Sequence, residues 1–533
     1  MKTWFLAVIL SAVLHRSDGY NYLVWSPLFA RSHNNFLSTI AEIVAQAGHN
    51  VTFLAPIIDE SMRDDPEKLL QYTRDVLKPE ASQQVSRMNE ALLQGDYTSL
   101  WVEKSDVFTF AKMCAAHLTI FAHSCESVVV DKKLMETLKK KNFDVILTEA
   151  ISECPFAVRD ILKIPTLVLT DSFPEYDTVA NLIGEPILPS YVPGFFSTQR
   201  DKMNVLQRGI NALETWFGEQ MVQDPNVPKM VKEKLNIEVR LSREVIPEAA
   251  FVLSNSNPFL NFPRPTLHKT VQIGGATINL TELRSEKLSK EWEEVVSRRS
   301  KNVLVSFGTM VFSSAMPNDM RTTILNVFSS MPNVTFIWKY EDDDVAWAEK
   351  TSNVHFSKWV PQKALLASRK LSAFVTHAGL GSTNELAYLG VPAVTVPIFA
   401  DQFRNAYMLE RHGGSIVLEK SDLFDEDLVK KAIHDVVYDQ SYTENAKKLA
   451  EVLERQPIPP KELALRYLEF AARFGELKSQ DPHGRHLNFF EYHLIDLFFY
   501  SLFGSVFVAY LVYKCAIFLR NLIKKKPKIQ KFD

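Results

Sequence analysis

The stretch "LSAFVTHAGLGSTNELAYLGVPAVTVPIFADQ", residues 371–402, constrains the fold more tightly than any other part of the chain. Its first run, "LSAFV", is short, apolar and bounded, as a buried parallel strand would be, and it leads into Thr376 and His377. Glycines break the run. "STNELAYLG" then reads as a helix, with Ser382 as N-cap, Glu385 three residues on as its capping-box partner, and Gly390 and Pro392 as the stop. "VPAVTVPIF" supplies a second strand, which delivers Asp401 and Gln402 to the following loop. Strand, glycine turn, helix and strand make a βαβ unit, in which ligands bind beyond the carboxyl ends of the strands. Gly379 and Gly381 let the backbone come close to a ligand there, and the helix N-terminus favours an anion, most simply a phosphate.

Two other nucleotide motifs fail on this stretch. Asp401 lies near the spacing of a ribose-binding acid, but Asn384 stands where a dinucleotide fingerprint needs its third glycine. A P-loop would need Gly-Lys-Ser/Thr after the glycines, and none follows.

The ends of the chain set its compartment. "MKTWFLAVILSAVLHRSDG" has Lys2, an apolar stretch from Trp4 to Leu14 and then small and polar residues, which predicts a signal peptide over 1–19 cut between Ser17 and Tyr20. Near the other end, "LFFYSLFGSVFVAYLVY" is uncharged, and "CAIFL" beyond Lys514 extends it to a full membrane span, predicted over 494–519. From Lys514 onward the sequence holds seven basic residues and one acid, so the positive-inside rule predicts a cytosolic tail over 520–533 and a luminal body. Leaving out both ends, the body has 51 basic and 61 acidic residues, which argues against nucleic acid or a polyanionic surface as partner. Of four cysteines Cys515 is in the span, so Cys114, Cys125 and Cys154 can form at most one disulfide among themselves. Three N-x-Ser/Thr sequons occur, at Asn50, Asn279 and Asn333; the first and last directly precede strand-like runs, which leaves Asn279 as the glycosylation candidate.

Between the ends, strand and helix signals alternate twice. "YLVWSP", a helix over 34–47, "VTFLAP", "FDVILTEA" and "PTLVLT" form one series; "NVLVSFG", "VTFIWKY", "FVTHAG" and "AVTVPIF" form the other. The expectation is an α/β chain of two doubly wound domains, 20–261 and 286–450. A Pro/Gly-dense linker over 262–285 joins them, and further helices over 451–493 lead to the membrane. The segment 63–123 is helical and mixed apolar, and fits either a pocket wall or ordinary core.

Residues 359–405, "WVPQKALLASRKLSAFVTHAGLGSTNELAYLGVPAVTVPIFADQFRN", resemble the signature of the UDP-glycosyltransferases, in the UDP-glucuronosyltransferase-like branch of membrane-anchored animal enzymes. The likeness extends to "RSHNNF", "AGHNVTFLAP", "PSYVP", "SNSNPFLNFPRP", "VQIGG" and "VSFGT", and so covers nearly the whole chain. It implies the GT-B architecture: two facing Rossmann-like domains, acceptor in the first and UDP-sugar in the second, with a C-terminal transmembrane helix in the endoplasmic reticulum. The resemblance makes Trp359 the aromatic under uracil, Gln362 its polar partner and Glu385 the ribose carboxylate. It gives the diphosphate to Ser306 and His377 with the backbone from Gly379 through Gly381 to Ser382, and the sugar hydroxyls to Asp401 and Gln402. His33 matches the base that takes the proton of the acceptor hydroxyl, and Glu149 the carboxylate that orients it.

Three positions depart from the family pattern. Glu149 stands where aspartate is more usual, Gly381 where many vertebrate relatives have asparagine, and Lys339 where arginine is frequent, so the donor sugar is not carried over. The partners implied are UDP-glucuronate or UDP-glucose as co-substrate, a small lipophilic alcohol or phenol, and membrane lipid, with no cofactor and no metal; a homo-oligomer stays open. A metal-dependent glycosyltransferase would instead use Asp342-x-Asp344, and a non-catalytic carrier of UDP-sugar or lipophile would have lost the base.

Overall fold

Near-continuous apolar runs fold as buried parallel strands, because a sheet covered by helices on both faces has no wet side to accommodate polar alternation. The computed structural model describes residues 19–524 apart from 94, 96–97, 106, 221–223 and 349–350. Residues 1–18 of the expected signal peptide and 525–533 of the basic tail lie outside the described residues.

Two sheets form, and among the described residues every strand pairing within them is parallel. The first contains β1 (Asn21–Trp25), β2 (Asn50–Leu54), β3 (Asp75–Leu77), β4 (Val145–Glu149), β5 (Thr166–Asp171), β6 (Phe251–Ser254) and β7 (Thr270–Gln272), in the order β3-β2-β1-β4-β5-β6-β7. The second contains β8 (Lys301–Ser306), β9 (Val334–Lys339), β10 (Val354–Ser357), β11 (Ala373–Thr376), β12 (Ala393–Thr395) and β13 (Ser415–Val417), in the order β10-β9-β8-β11-β12-β13. Strand order therefore reverses between β1 and β4 in one sheet and between β8 and β11 in the other. These are the topological switch points where doubly wound sheets open a ligand crevice.

Among the helices are α1 (Arg31–Gln46), α2 (Gln83–Leu93), α3 (Ser99–Val102), α4 (Val107–Val129), α5 (Cys154–Leu162), α6 (Gln362–Ala367), α7 (Leu380–Leu389), α8 (Gln402–Arg411), α9 (Pro460–Phe474) and α10 (Ile495–Lys524). Alternate residues of each first strand serve opposite cores: Leu23 and Trp25 pack on one face of the first sheet, Tyr22 and Val24 on the other. Val303 and Val305 are separated from Leu304 in the same way in the second sheet. A disulfide between Cys125 and Cys154 joins α4 to α5, with a Cα separation of 5.4 Å, and Cys114 remains a thiol.

The fold corrects two boundaries. The stretch 262–285 is not only a linker, since it supplies β7, whose Val271 is buried in the first sheet's core. A three-residue strand leaves too short an apolar run to stand out among prolines and glycines. Helix α9, expected to lead from the second domain to the membrane, packs back on the first sheet: Ala464, Leu468 and Ala471 face its core at helical spacing, and the Tyr22 hydroxyl donates to the Leu468 carbonyl at 3.0 Å.

Both sheets and α9 belong to one compact unit that ends at Gln480; residues Asp481–Asp533 form a second. Helix α10 in that second unit is 30 residues long, contains an 18-residue stretch with a mean hydropathy of 2.0, has no buried residue, and is long and apolar enough to cross a membrane.

Candidate active site

The two switch points carry the side chains with the chemistry. At the first, α1 begins soon after β1 and holds His33 in its opening turn rather than in a free loop, while Glu149 is the last residue of β4. His33 Nδ1 and Glu149 Oε2 are 2.7 Å apart. The other carboxylate oxygen accepts the Ser172 backbone N–H at 2.8 Å, and the Ser172 hydroxyl lies 3.0 Å from the same Nδ1. Burial alone would push the Glu149 carboxyl up, but the positive field and hydrogen bond of His33, with the Ser172 donors, hold it below the ordinary value. An ionised Glu149 accepts the Nδ1 proton and leaves Nε2 with its lone pair, the arrangement of a general base. Aromatic rings fix the imidazole plane: Phe29 at 4.8 Å and Phe173 edge-on at 5.1 Å, with Phe121 of α4 edge-on behind Phe29.

At the second switch point Ser306 ends β8 and His377 follows β11, both beyond carboxyl ends. His377 is held between two glycines. A Cβ on Gly308, whose φ is +82°, would lie 2.6 Å from the imidazole Cε1, and one on Gly379 would lie 2.7 Å from Nε2. No larger residue fits at either position without moving the ring. Burial, seconded by the charge of Lys339, lowers the His377 pKa to about 4, so the ring is neutral, and its buried Nδ1 has no hydrogen-bond partner among the described residues. The Lys339 ammonium donates to the Gly308 carbonyl at 2.8 Å and pairs with Glu341 at 3.0 Å.

Helix α7 starts earlier than its sequence suggests. Its N-cap is Gly379, so Ser382 lies inside the first turn and the expected capping box with Glu385 does not form. Both side chains turn instead to α6, where the Gln362 amide donates to Ser382 Oγ at 3.0 Å and to Glu385 Oε2 at 2.7 Å. A Cβ on Gly381 would meet nothing, so the protein itself does not demand glycine there. Trp359 precedes this cluster with 71 % of its surface exposed, a large apolar plane with no partner to cover it in the core.

The loop after β12 completes the crevice. Asp401 caps α8 and accepts from the Asn405 amide at 2.7 Å, and the same amide donates to the Ala378 carbonyl at 3.0 Å, tying the loop to the His377 turn. Burial raises the Asp401 carboxyl; the Asn405 hydrogen bond and the charge of His33 oppose it, which places the two switch points within electrostatic reach of each other. Gln402 is buried, and its side-chain oxygen accepts the Ile398 and Phe399 amides at 2.9 and 3.1 Å, so only its NH2 remains for a ligand. Ala378 and Ala400, neither a glycine, take left-handed φ values of +61° and +54° beside His377 and Asp401. Such strain concentrates where a site holds its backbone in place. Asp342 and Asp344 form an acidic turn in which each accepts a backbone N–H two residues on, at 3.2 and 3.3 Å.

With this geometry in hand, comparison with known proteins decides the family. The profile described as "UDP-glucoronosyl and UDP-glucosyl transferase" matches residues 21–529. The chain belongs to this family. Among its relatives, UDP-glucuronosyltransferase 2B23 of Macaca fascicularis is 28 % identical over 96 % of this chain and 95 % of its own length. UDP-glucuronosyltransferase 2B7 of Homo sapiens is 28 % identical over 99 % and 98 %. Among solved structures, the glycotransferase of kitacinnamycin has a TM-score of 0.55 at 17 % identity, covering 87 % of this chain and 100 % of its own. A UDP-glucosyltransferase from Polygonum tinctorium has 0.54 at 14 %, covering 86 % and 99 %. At such identities the structures show the fold, which is GT-B. The protein is a UDP-dependent glycosyltransferase, acting with a UDP-sugar donor and a small-molecule acceptor.

In this glycosyltransferase His33 and Glu149 meet at the first switch point, and Ser306, His377 and the turn from Gly379 to Ser382 stand at the second. Gln362 joins Ser382 to Glu385, Asn405 ties the loop of Asp401 and Gln402 to the His377 turn, and Trp359 lies exposed before α6 at the edge of the second sheet. Four contributors were not expected. Ser172 touches both His33 and Glu149, Asn405 joins the two donor-side loops, and Phe29 and Phe173 fix the imidazole plane. Asn405 alone left a trace in the sequence, four residues after Asp401 and so on the same helix face.

Proposed function

We propose that this enzyme transfers a hexuronate or a hexose from UDP to a hydroxyl of a small lipophilic acceptor, with inversion at the anomeric carbon. The observation that carries the reading is the His33–Glu149 contact of 2.7 Å at the acceptor-side switch point. His33 Nε2 takes the proton of the acceptor hydroxyl as its oxygen bonds to the anomeric carbon, and the bond from that carbon to the UDP oxygen breaks. Glu149 offsets the charge of the imidazolium that forms. On the donor side Trp359 stacks on uracil, Gln362 meets the base, and Glu385 binds the ribose. Ser306, neutral His377 and the amides from Gly379 to Ser382 hold the diphosphate as its charge grows. Asp401 and the Gln402 NH2 bind the sugar. A carrier that has lost its base would have no use for an aligned carboxylate–imidazole pair.

The apolar helix α10 anchors the chain once in the endoplasmic reticulum membrane, with the two sheets luminal, the basic tail cytosolic and a cleaved signal peptide at the start. Asn279, exposed at a helix N-cap, takes the glycan. The relatives' names support glucuronate as donor, and lipophilic compounds cleared as sugar conjugates are the matching acceptor class. The test is a mass-spectrometric screen of membranes carrying the enzyme, with a panel of UDP-sugars against a panel of hydrophobic aglycones. A hexose or hexuronate added to a hydroxyl in the β configuration is expected; a product that keeps the α configuration of the donor would refute single displacement and the role of His33.

A further inference from the structure

Between α2 and α4 the chain leaves the acceptor-side lobe and returns. Helices α2 and α4 stay in one cluster: Val85, Met88 and Leu92 of α2 pack with Ile120 and Phe121 of α4 and with Phe29, the ring that lies on His33. The segment 98–105 between them belongs to the other lobe. Trp101 of α3 is 1 % exposed, within the core of the second sheet among Val305, Phe307 and Val311. Its ring meets Phe307 edge-on at 5.0 Å, and its indole N–H donates to the Phe312 carbonyl at 3.0 Å. Lys420, after β13, donates to the carbonyls of Leu100 and Glu103 at 2.8 and 2.7 Å and so closes the C-terminal end of α3. The Ser105 hydroxyl donates to the Ile398 carbonyl at 2.5 Å.

The Trp101 and Ser105 contacts are on the two loops that carry the sugar-facing half of the donor site, and Lys420 holds α3 against them. Phe307 stands between Ser306 and Gly308, whose carbonyl holds Lys339 and whose missing Cβ makes room for His377. Ile398 begins the loop that Gln402 pins and that ends in Asp401. None of the Trp101, Lys420 and Ser105 contacts just described is with Trp359, Gln362 or Glu385. We propose that Trp101 is a positioning residue of the donor site, by which the acceptor-side lobe fixes the 307–312 and 398–402 loops in register with His377 and Asp401. The proposal rests on the reading that these loops hold the diphosphate and the sugar. A displacement of about 1 Å at such groups is enough to lower turnover on the order of a hundredfold, which gives the strap its leverage.

The full-length enzyme in detergent micelles tests this by calorimetry with UMP, UDP-glucuronate and UDP-glucose. Trp101→Ala is expected to weaken the UDP-sugar that wild type binds by about tenfold, while UMP, which has the uridine and one phosphate but neither the second phosphate nor the sugar, keeps most of its affinity. Trp101→Phe keeps a ring against Phe307 and restores most of the loss. Lys420→Met and Ser105→Ala are expected to give the same selective pattern in smaller measure, and they carry the test alone if Trp101→Ala does not fold. Equal losses for UMP and UDP-sugar would show a merely structural role and overturn the proposal, as would unchanged affinity for both. If wild type binds none of the three, the donor-site reading itself falls, and the proposal with it.

Discussion

The two switch points each present a histidine, and the surroundings make them different reagents. His33 keeps 12 % of its side-chain surface and is paired with a carboxylate and a serine hydroxyl. His377 is shut between two glycines, has a cation for a neighbour and leaves its Nδ1 unpartnered. One environment sets a carboxylate against the ring; the other shuts the ring away beside a cation and excludes the imidazolium. The same side chain thus serves proton transfer on the acceptor side and neutral hydrogen bonding beside a diphosphate on the donor side, and the difference lies in the neighbours supplied by adjoining strands.

The strongest way to break this contrast is to remove the base. His33→Ala is expected to lower kcat by on the order of a thousandfold and leave UDP binding nearly intact, since it touches the acceptor and not the nucleotide. Equal turnover of a folded variant and wild type would sink the assignment. Glu149→Gln comes next, with a loss of about a hundredfold, because an amide keeps the shape but not the charge that the imidazolium needs. Glu149→Asp keeps the charge and withdraws it by one methylene, so it should fall between Gln and wild type; full activity of the aspartate variant would show that the longer side chain is not needed to reach His33 and Ser172.

The donor-side histidine gives a prediction in stability. Its folded pKa of about 4 lies below the ordinary 6.5, so the unfolded chain binds more protons between these values and stability falls as pH drops through that window. From pH 7 to pH 5 His377 should cost the fold about 2 kcal/mol, and His377→Gln should lack that component. Thermal unfolding of both proteins at the two pH values decides it: parallel losses would mean that His377 is not held neutral. A smaller effect is expected at the far end of the donor site. Trp359→Ala and Glu385→Ala should each weaken UDP by about tenfold, one through lost stacking and one through unpaired ribose hydroxyls. Unchanged calorimetric affinity in both would move the uridine elsewhere.

What could be read from the sequence follows the range over which each feature is determined. Buried parallel strands such as "DVILTE" and "NVLVSFG" declare themselves by composition within a few residues, and the family signature carries the spacing of the donor loops. The start of α7 was misplaced because Ser382 and Glu385 satisfy the capping pattern locally, while Gln362, 20 residues earlier, claims both side chains in the fold. Strand β7 and the docking of α9 were hidden for a related reason: three residues are too few for periodicity, and an amphipathic helix does not say which sheet it will cover. Ser172 and the Trp101 strap are tertiary facts. Ser172 follows β5 and meets β4 and α1 only through sheet order, and Trp101 gives no sign of belonging to a lobe whose first strand starts 200 residues later.

The smallest effect concerns metal, and it sharpens the donor side of the comparison. A diphosphate leaving group needs its growing charge offset, which an enzyme does with a divalent cation or with fixed dipoles. The donor-side site has the second kind of equipment: the first turn of α7 behind Gly379, and a neutral His377 two residues before that glycine. A histidine kept neutral cannot repel a cation, so its neutrality alone does not decide the matter. The expectation rests on how the acidic side chains are engaged. Asp342 and Asp344 spend an oxygen each on their own turn, Asp401 is engaged by Asn405, and among the described residues no group of three or more His, Cys, Asp or Glu side chains is placed to hold an ion. Turnover should therefore be unchanged by EDTA at concentrations that strip magnesium and manganese. A loss of activity restored by manganese would place a cation on the diphosphate, and His377 would then be a neighbour of that ion instead of the group that takes its place.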